Sequence, residues 1–259
     1  MLVRLRSWQT RILPHGWLDV LKQVSLFAGA YCAYRVVQGL VQSDGTAAFQ
    51  HARDVIQFER TLHIFVEPSI QAWASSSHVV MAASSWLYLN AQFSVTVGAL
   101  LFLYTRHNGS FYFVRNMMFI AMAIALVGYA VFPTAPPRFL PEWGFVDSVS
   151  NMTGVTVSHS SVLEGLVNPY AAMPSMHVAF ALIIGWPLSR LLRSRVARAL
   201  WLVYPLVIAF VIIATANHFL IDAILGAATA GISAYAARAF ARLHPGAYGF
   251  APVTTGASG

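Results

Sequence analysis

Six apolar stretches, each long enough to cross a lipid bilayer as a helix, restrict what this chain can fold into. A transmembrane helix needs roughly 17–25 predominantly apolar residues to span the hydrocarbon core. Stretches of that length occupy residues 23–41, 79–104, 116–132, 174–192, 197–215 and 219–240. We therefore predict an all-α fold, a polytopic membrane protein built as a bundle of six transmembrane helices.

The composition supports a membrane location. Only 10% of the 259 residues are charged and 58% are hydrophobic, whereas a soluble globular chain carries about 25% charged residues. Too few polar groups remain to cover a surface that faces water on all sides. The single cysteine, Cys32, excludes an internal disulfide and any multi-cysteine metal site.

The apolar stretches divide the chain into a membrane domain and two terminal segments. We expect a cytoplasmic segment over residues 1–22, the membrane domain over 23–244, and a disordered tail over 245–259 that is rich in Gly, Thr, Ser and Ala. The first segment does not resemble a cleavable signal peptide, because the apolar stretch after it is too long and lacks a small-residue cleavage site.

The connection between the first two spans has a helical pattern of its own. Within residues 46–77, the apolar side chains of Val55, Phe58, Leu62 and Phe65 recur at helical spacing. This spacing predicts an amphipathic helix that lies in or near the membrane interface.

The basic residues set the orientation of the bundle. If the N-terminus is cytoplasmic, the outer side of the membrane holds only Arg53, Arg60 and Arg138, together with most of the acidic residues. The cytoplasmic segments are then rich in arginine, as the positive-inside rule requires. Orientation thus explains the formal net charge of +7, and we expect no nucleic-acid partner. We predict a multi-pass protein of the cell membrane with both termini in the cytoplasm.

Three polar clusters survive in this apolar sequence, and the predicted topology places all three at the outer membrane face. They are Pro133 to Arg138 after the third span, Met173 to His177 at the start of the fourth, and Ala216 to Asp222 at the start of the sixth. They are far apart in sequence but share one depth in the membrane. This coincidence predicts a functional site on the extracytoplasmic side.

His218 and Asp222 are four residues apart, so on a helix they share one face. A carboxylate beside an imidazole fixes its tautomer and stabilises its cation, which makes the other ring nitrogen a good nucleophile or base. The alternative is a buried polar pair that joins two helices. A carboxylate inside a span costs roughly 2.5–3.5 kcal/mol on insertion scales, which favours a functional role.

Ser175 and His177 open the fourth span behind Pro174, a residue type favoured in the first helical turn. This turn exposes free N–H groups and the positive end of the helix dipole, which suit an anion, and the Ser175 hydroxyl adds a donor. His177 can protonate a leaving oxygen. The alternative is a capping serine next to an interfacial histidine. Arg138 can grip phosphate oxygens in bidentate fashion or, alternatively, anchor to lipid headgroups.

Two histidines, a carboxylate, an arginine and a helix N-terminus together suit phosphoryl transfer through a phosphohistidine. We expect no metal and no other cofactor, because a divalent metal would need several carboxylates or a third histidine at suitable spacing.

The same residues resemble those of the type 2 phosphatidic acid phosphatase superfamily, over roughly residues 58–226. Within it, the sequence looks more like the branch that includes inositol phosphorylceramide synthases. The resemblance rests on Phe58-Glu59-Arg60, Pro133 to Arg138, Asn168-Pro-Tyr-Ala-Ala-Met-Pro-Ser-Met-His177, and Asn217-His218 with Asp222.

The resemblance implies a six-helix membrane bundle and a role for each site residue. His218 would take the phosphoryl group, Asp222 would orient it, and His177 would protonate the departing alcohol. Arg138, Ser175 and nearby backbone N–H groups would hold the phosphate.

Two expected phosphate ligands depart from the superfamily pattern. Val131 stands where the first motif has a lysine, and Ile212 stands where the third motif has an arginine. We expect Asn217 or Arg60 to compensate, and both are candidate phosphate-binding residues.

These observations predict a metal-independent membrane enzyme, a hydrolase or a transferase of lipid metabolism, that acts on a lipid-linked phosphate at the extracytoplasmic face. The acceptor is water, or a polyol such as inositol or a sugar, and the catalytic residues do not separate these cases. One rival is a transporter or channel, which would place ionisable residues along a path through the midplane. Another is a catalytically inactive family member that binds lipid. The sequence does not decide the oligomeric state.

Overall fold

The computed structural model of the chain describes residues 15–40, 45–153 and 169–243. The predicted C-terminal tail and Asn168 lie outside the described residues, as does most of the predicted N-terminal segment. Nothing in the structure therefore tests those expectations.

The described part of the chain is helical, and its only β-type pairing is an isolated bridge between Thr134 and Ala171. Two short 3-10 turns, Pro137–Phe139 and Pro141–Trp143, lie in the connection over residues 132–147. The α-helices within the described ranges are α1 (Gly16–Leu40), α2 (Gly45–Thr61), α3 (Glu67–Ser75), α4 (His78–Arg106), α5 (Asn108–Val131), α6 (Ser148–Thr153), α7 (Met176–Leu191), α8 (Arg195–Ala214) and α9 (Leu220–Leu243).

Within the described residues, four helices are long and apolar enough to cross a membrane, namely α4, α5, α8 and α9. They correspond to the predicted spans over 79–104, 116–132, 197–215 and 219–240. Helix α7 is also apolar but has only 16 residues, and α1, which contains Asp19, Lys22 and Arg35, is not among the four. The all-helical membrane class is thus supported, whereas the count of six spans stays a prediction.

The segment predicted as one amphipathic helix over residues 46–77 is in fact two helices, α2 and α3. Glu67 and Pro68 open the second helix, where the missing N–H of proline costs nothing. Of the predicted apolar stripe, Val55 is buried, whereas Phe58 and Leu62 are each 51% exposed, and a position in the membrane interface stays a prediction. The buried face of α2 instead consists of Ala48, Ala52, Val55, Ile56 and Glu59.

The three polar clusters lie at one end of the helix bundle. Helix α5 ends there, α7 begins there, and α8 ends where α9 begins. Backbone hydrogen bonds join these segments: the Arg138 N–H donates to the Ala216 carbonyl at 2.8 Å, and the Ser175 N–H donates to the Asp222 carbonyl at 3.0 Å. The arginines at the ends of α4, α7 and α9 and at the start of α8 lie at the opposite end of the bundle.

Helix α2 covers this end of the bundle with its buried face. That face packs with Ala135, Leu140, Phe145 and Phe219 in one apolar cluster. The Ala135 N–H also donates to the carbonyl of Ala48 at 3.1 Å. The polar residues after α5 are therefore held between α2 and the start of α9.

Candidate active site

The imidazole rings of His177 and His218 face each other at the polar end of the bundle. Their centroids are 5.6 Å apart and their planes meet at 66°. His177 is the second residue of α7, and His218 lies in the short connection just before α9. Two histidines that are 41 positions apart in the chain thus come close enough to flank one small group.

Asp222 holds His218 through the ring nitrogen on its own side. The Asp222 Oδ2 atom lies 3.2 Å from His218 Nδ1 and also accepts the Phe219 N–H at 2.9 Å. With Nδ1–H donated to the carboxylate, the Nε2 lone pair of His218 remains available for attack. Burial, together with the nearby charge of Arg138, lowers the pKa of His218 to about 3, while the Ala172 backbone acts in the opposite direction. The His218 ring is therefore neutral at pH 7, as its predicted role as a nucleophile requires.

His177 stacks on Tyr88, a residue that sequence reasoning missed. The Tyr88 ring, from α4, lies 4.7 Å from the His177 ring at an interplanar angle of 23°. The Tyr88 hydroxyl also reaches the Arg138 guanidinium. Tyr88 therefore connects the predicted acid with the predicted phosphate ligand.

Arg138 is held beside His218 by side chains from two other segments. Its guanidinium donates to the Asn217 side-chain oxygen and lies 4.0 Å from an Asp147 carboxylate oxygen. The Asn217 amide nitrogen in turn donates to the Thr215 hydroxyl at 2.9 Å and to the Thr215 carbonyl at 3.1 Å. Because these contacts occupy the Asn217 side chain, they fit a residue that orients Arg138 better than one that binds phosphate directly.

Ser175 is fully buried, and its hydroxyl finds no hydrogen-bond partner among the described residues. Ser175 occupies the N-cap position of α7, yet its side chain does not accept an N–H from the first turn. The alternative of a capping serine is thus not what the structure contains. A buried hydroxyl without a partner is costly, and here it lies beside the unfilled first turn of α7, where an anion would be stabilised.

The first turn of α9, in contrast, is already occupied by carboxylates. Phe219 donates its N–H to Asp222, Leu220 donates to Glu67 at 2.7 Å, and Ile221 donates to Glu59 at 2.8 Å. Of the two helix N-termini at the site, only that of α7 is left for a phosphate among the described residues.

Arg60 is not brought to this cluster. Its exposed guanidinium lies over the Trp143 ring, 5.5 Å from the ring centroid, and no described contact joins it to either histidine. The neighbouring Glu59 points inward instead. The two positions that lack the superfamily's basic residues differ from each other: Val131 is 74% exposed, and Ile212 is fully buried in an apolar cluster.

Two glycines allow the helices to approach the turn before α7. A Cβ at Gly226 of α9 would overlap the Ser175 carbonyl oxygen, and a Cβ at Gly128 of α5 would lie 2.8 Å from Pro174 Cδ. The Pro174–Ser175 turn is thus gripped between α5 and α9, which fixes the depth of His177 against His218.

Within the described ranges, no three His, Cys, Asp or Glu side chains converge in the manner of a metal site. The groups that gather at this end of the bundle are two imidazoles, one guanidinium, a free hydroxyl and a helix N-terminus. Such a set can bind an anion, attack it from one side and protonate it from the other.

Comparison with known proteins gives one family. Searches among curated proteins and among solved structures returned no match. The sequence profile of the PAP2 superfamily matches residues 53–236, which include every site residue described above. That match extends over more than half of the chain, and the protein belongs to the PAP2 superfamily.

Proposed function

We propose that the protein is a membrane enzyme that cleaves or transfers a lipid-linked phosphate at the extracytoplasmic face of the cell membrane, through a phosphohistidine on His218. The proposal rests mainly on the His177 and His218 rings, whose centroids are 5.6 Å apart, and on the hydrogen bond between His218 and the buried Asp222 carboxylate. Superfamily membership supports phosphatase or phosphotransferase chemistry. The arginines at the opposite end of the bundle support the orientation.

In the first half-reaction, Nε2 of His218 attacks the phosphorus atom while the bond from phosphorus to the lipid alcohol oxygen breaks. The electron pair of that bond stays on the oxygen, which takes a proton from His177. Asp222 holds the Nδ1–H of His218 and stabilises the positive ring that forms. Arg138, the Ser175 hydroxyl and the N–H groups of the first turn of α7 bind the phosphoryl oxygens.

In the second half-reaction, a hydroxyl of the acceptor attacks the phosphorus atom and the bond between phosphorus and Nε2 breaks. His177 takes the proton of the attacking hydroxyl. Water as the acceptor gives a phosphatase, and a polyol such as inositol, or a sugar, gives a phosphotransferase. Both use the same site residues, so the products decide between them.

The test is turnover by the purified protein in detergent, with a panel of lipid phosphates offered with and without inositol. Free phosphate and new lipid products are followed. His218→Ala and His177→Ala should each lose at least about 10³-fold in kcat, and the double variant little more, because the two residues act as a unit. His78→Ala, which changes an exposed histidine at the start of α4, should keep wild-type turnover. Unchanged turnover in His218→Ala would refute the proposal.

A further inference from the structure

Glu59 and Glu67 meet beside the nucleophile, although they belong to different helices. Both side chains are 0% exposed. Between α2 and α3 the chain makes a turn in which His63 adopts a positive φ of 56° and the Ile64 N–H donates to the Glu59 carbonyl at 2.9 Å. The side chains of Glu59, in the last turn of α2, and Glu67, at the start of α3, interact across this turn.

Each carboxyl group uses one oxygen to hold the start of α9. Glu59 Oε1 accepts the Ile221 N–H at 2.8 Å, and Glu67 Oε1 accepts the Leu220 N–H at 2.7 Å. These two N–H groups directly follow His218 and Phe219 in the chain. Two helices that are remote from α9 in sequence thus fix the backbone that carries the nucleophile.

The second oxygen of each carboxyl group is not used in these bonds and is buried. Neither Oε2 atom has a partner elsewhere in the described part of the chain, and the two carboxyl groups lie within hydrogen-bonding reach of each other. Two ionised carboxylates side by side in a dry interior repel strongly, whereas a single shared proton makes a short, charge-assisted hydrogen bond.

The helix ends indicate which member holds the proton. Glu67 is the first residue of α3, where the helix dipole favours an anion, and Glu59 lies in the last turn of α2, where it disfavours one. Burial, and next the contact with Glu67, raise the pKa of Glu59 to about 9. Asp222 on α9 is the other acidic group that acts on Glu59, and His218 lies beside Asp222.

We propose that Glu59 and Glu67 share one proton and act as a positioning pair, which holds the first turn of α9 and so places His218 against the phosphate. The inference rests on the proposed function, because it assigns the pair to the same reaction. Neither residue touches substrate. Their effect is on the position of the nucleophile, and it depends on one proton between the two Oε2 atoms.

Glutamine substitutions test the shared proton directly. In E59Q, the amide oxygen can still accept the Ile221 N–H while the amide nitrogen donates to Glu67, as the protonated acid does. E67Q gives the mirror arrangement. In the double variant E59Q/E67Q, two amide nitrogens face each other and no acceptor remains between them. Each single variant should therefore keep at least about a third of wild-type kcat at pH 7, and the double variant should lose about tenfold or more.

The pH profile separates a shared proton from a merely structural contact. Wild-type kcat should fall as the pH rises through about 9, the pKa of Glu59. In E59Q this alkaline limb should move up by at least about one pH unit, because the group that titrates is gone. E142Q, which changes an exposed glutamate paired with Arg53, is the matched control and should leave the limb in place.

Several results would overturn the proposal: single variants as inactive as the double variant, a double variant as active as the singles, or an alkaline limb that E59Q does not move. Failure of the proposed function looks different, because the wild type would then show no turnover that depends on His218. In that case, thermal unfolding in detergent still tests whether Glu59 and Glu67 share a proton. The wild-type Tm should fall relative to that of E59Q as the pH rises from 4.5 towards 9, and parallel Tm curves would contradict the shared proton.

Discussion

Gly226→Ala should destabilise the protein, although alanine is normally the better helix residue. Gly226 lies one turn after Asp222 on α9, on the face that meets the turn before α7. An added Cβ would overlap the Ser175 carbonyl oxygen and lie 3.4 Å from the Val178 Cβ. That carbonyl cannot rotate away, because it also accepts the Ala179 N–H at 3.1 Å. Helix α9 and the turn must therefore move apart.

Two opposing effects set the size of the change. Overpacking a close contact costs about 1–3 kcal/mol, and replacing glycine within a helix by alanine gains about 0.5–1 kcal/mol. The net expectation is a loss of about 0–2.5 kcal/mol of unfolding free energy, the difference of those ranges, with a central value of about 1 kcal/mol. Gly231→Ala on the same helix has no atom within 4 Å of the new Cβ, so it keeps only the gain and should stabilise by up to about 1 kcal/mol.

The assay compares the two alanine variants in the same detergent, by thermal unfolding and by turnover. The Tm should fall in Gly226→Ala and rise slightly in Gly231→Ala. Turnover should fall by about 10²-fold in Gly226→Ala, because a displacement of about 1 Å between reacting groups costs that much. Equal shifts of Tm in the two variants would refute the claim that α9 is packed against the Ser175 carbonyl.

Two further predictions concern the same end of the bundle. Ser175→Ala should lower kcat by about 10–100-fold, because the phosphate loses one hydrogen-bond donor. The Tm should not change, since the Ser175 hydroxyl has no described partner in the protein. A clear fall in Tm would instead show that the hydroxyl stabilises the fold. The pKa of His218 is lowered from 6.5 to about 3, so its neutral form favours folding. That contribution to the unfolding free energy is complete above pH 6.5 and is lost as the pH falls towards 3. The Tm of the wild type should therefore decline over this pH range, and that of His218→Gln should decline less. Identical Tm curves for the two proteins would contradict a buried neutral imidazole.

The helical membrane class could be predicted because it rests on the length and composition of apolar stretches. Helices α4, α5, α8 and α9 all cover stretches that hydropathy alone delimits. The environment of an individual side chain is harder to predict. Val131, for example, is exposed, because the orientation of a side chain at a helix end depends on the packing around it. Helices α1 and α7 do not meet the length and composition rules for a span, since α1 contains three charged residues and α7 has only 16 residues, so the count of six spans remains a prediction.

The meeting of His177, His218, Asp222 and Arg138 could be expected, since polar groups at one depth of an apolar bundle have few other places to lie. Their contacts could not. Tyr88 lies within an apolar stretch whose sequence predicts only a transmembrane helix. Its stacking on His177 depends on how α4 packs against α7.

The segment Phe58-Glu59-Arg60 shows how the inward residue could have been found. A phosphate site suggested the cation, Arg60, but the buried face of α2 continues from Ala52 and Val55 to Glu59 at spacings of three and four. The buried face is only weakly apolar because its alanines are small, whereas the larger Phe58 lies on the exposed face of α2. Reading the small residues as a packing surface would have pointed to Glu59.

The most direct test of the phosphohistidine is to trap it. The purified protein is mixed with a lipid phosphate labelled at phosphorus, quenched in alkali within one turnover, and digested for mass spectrometry. We predict an acid-labile phosphoryl group on the peptide that contains His218, formed faster than the product and absent from His218→Ala. Turnover without any labelled peptide, or a label on a different residue, would contradict it.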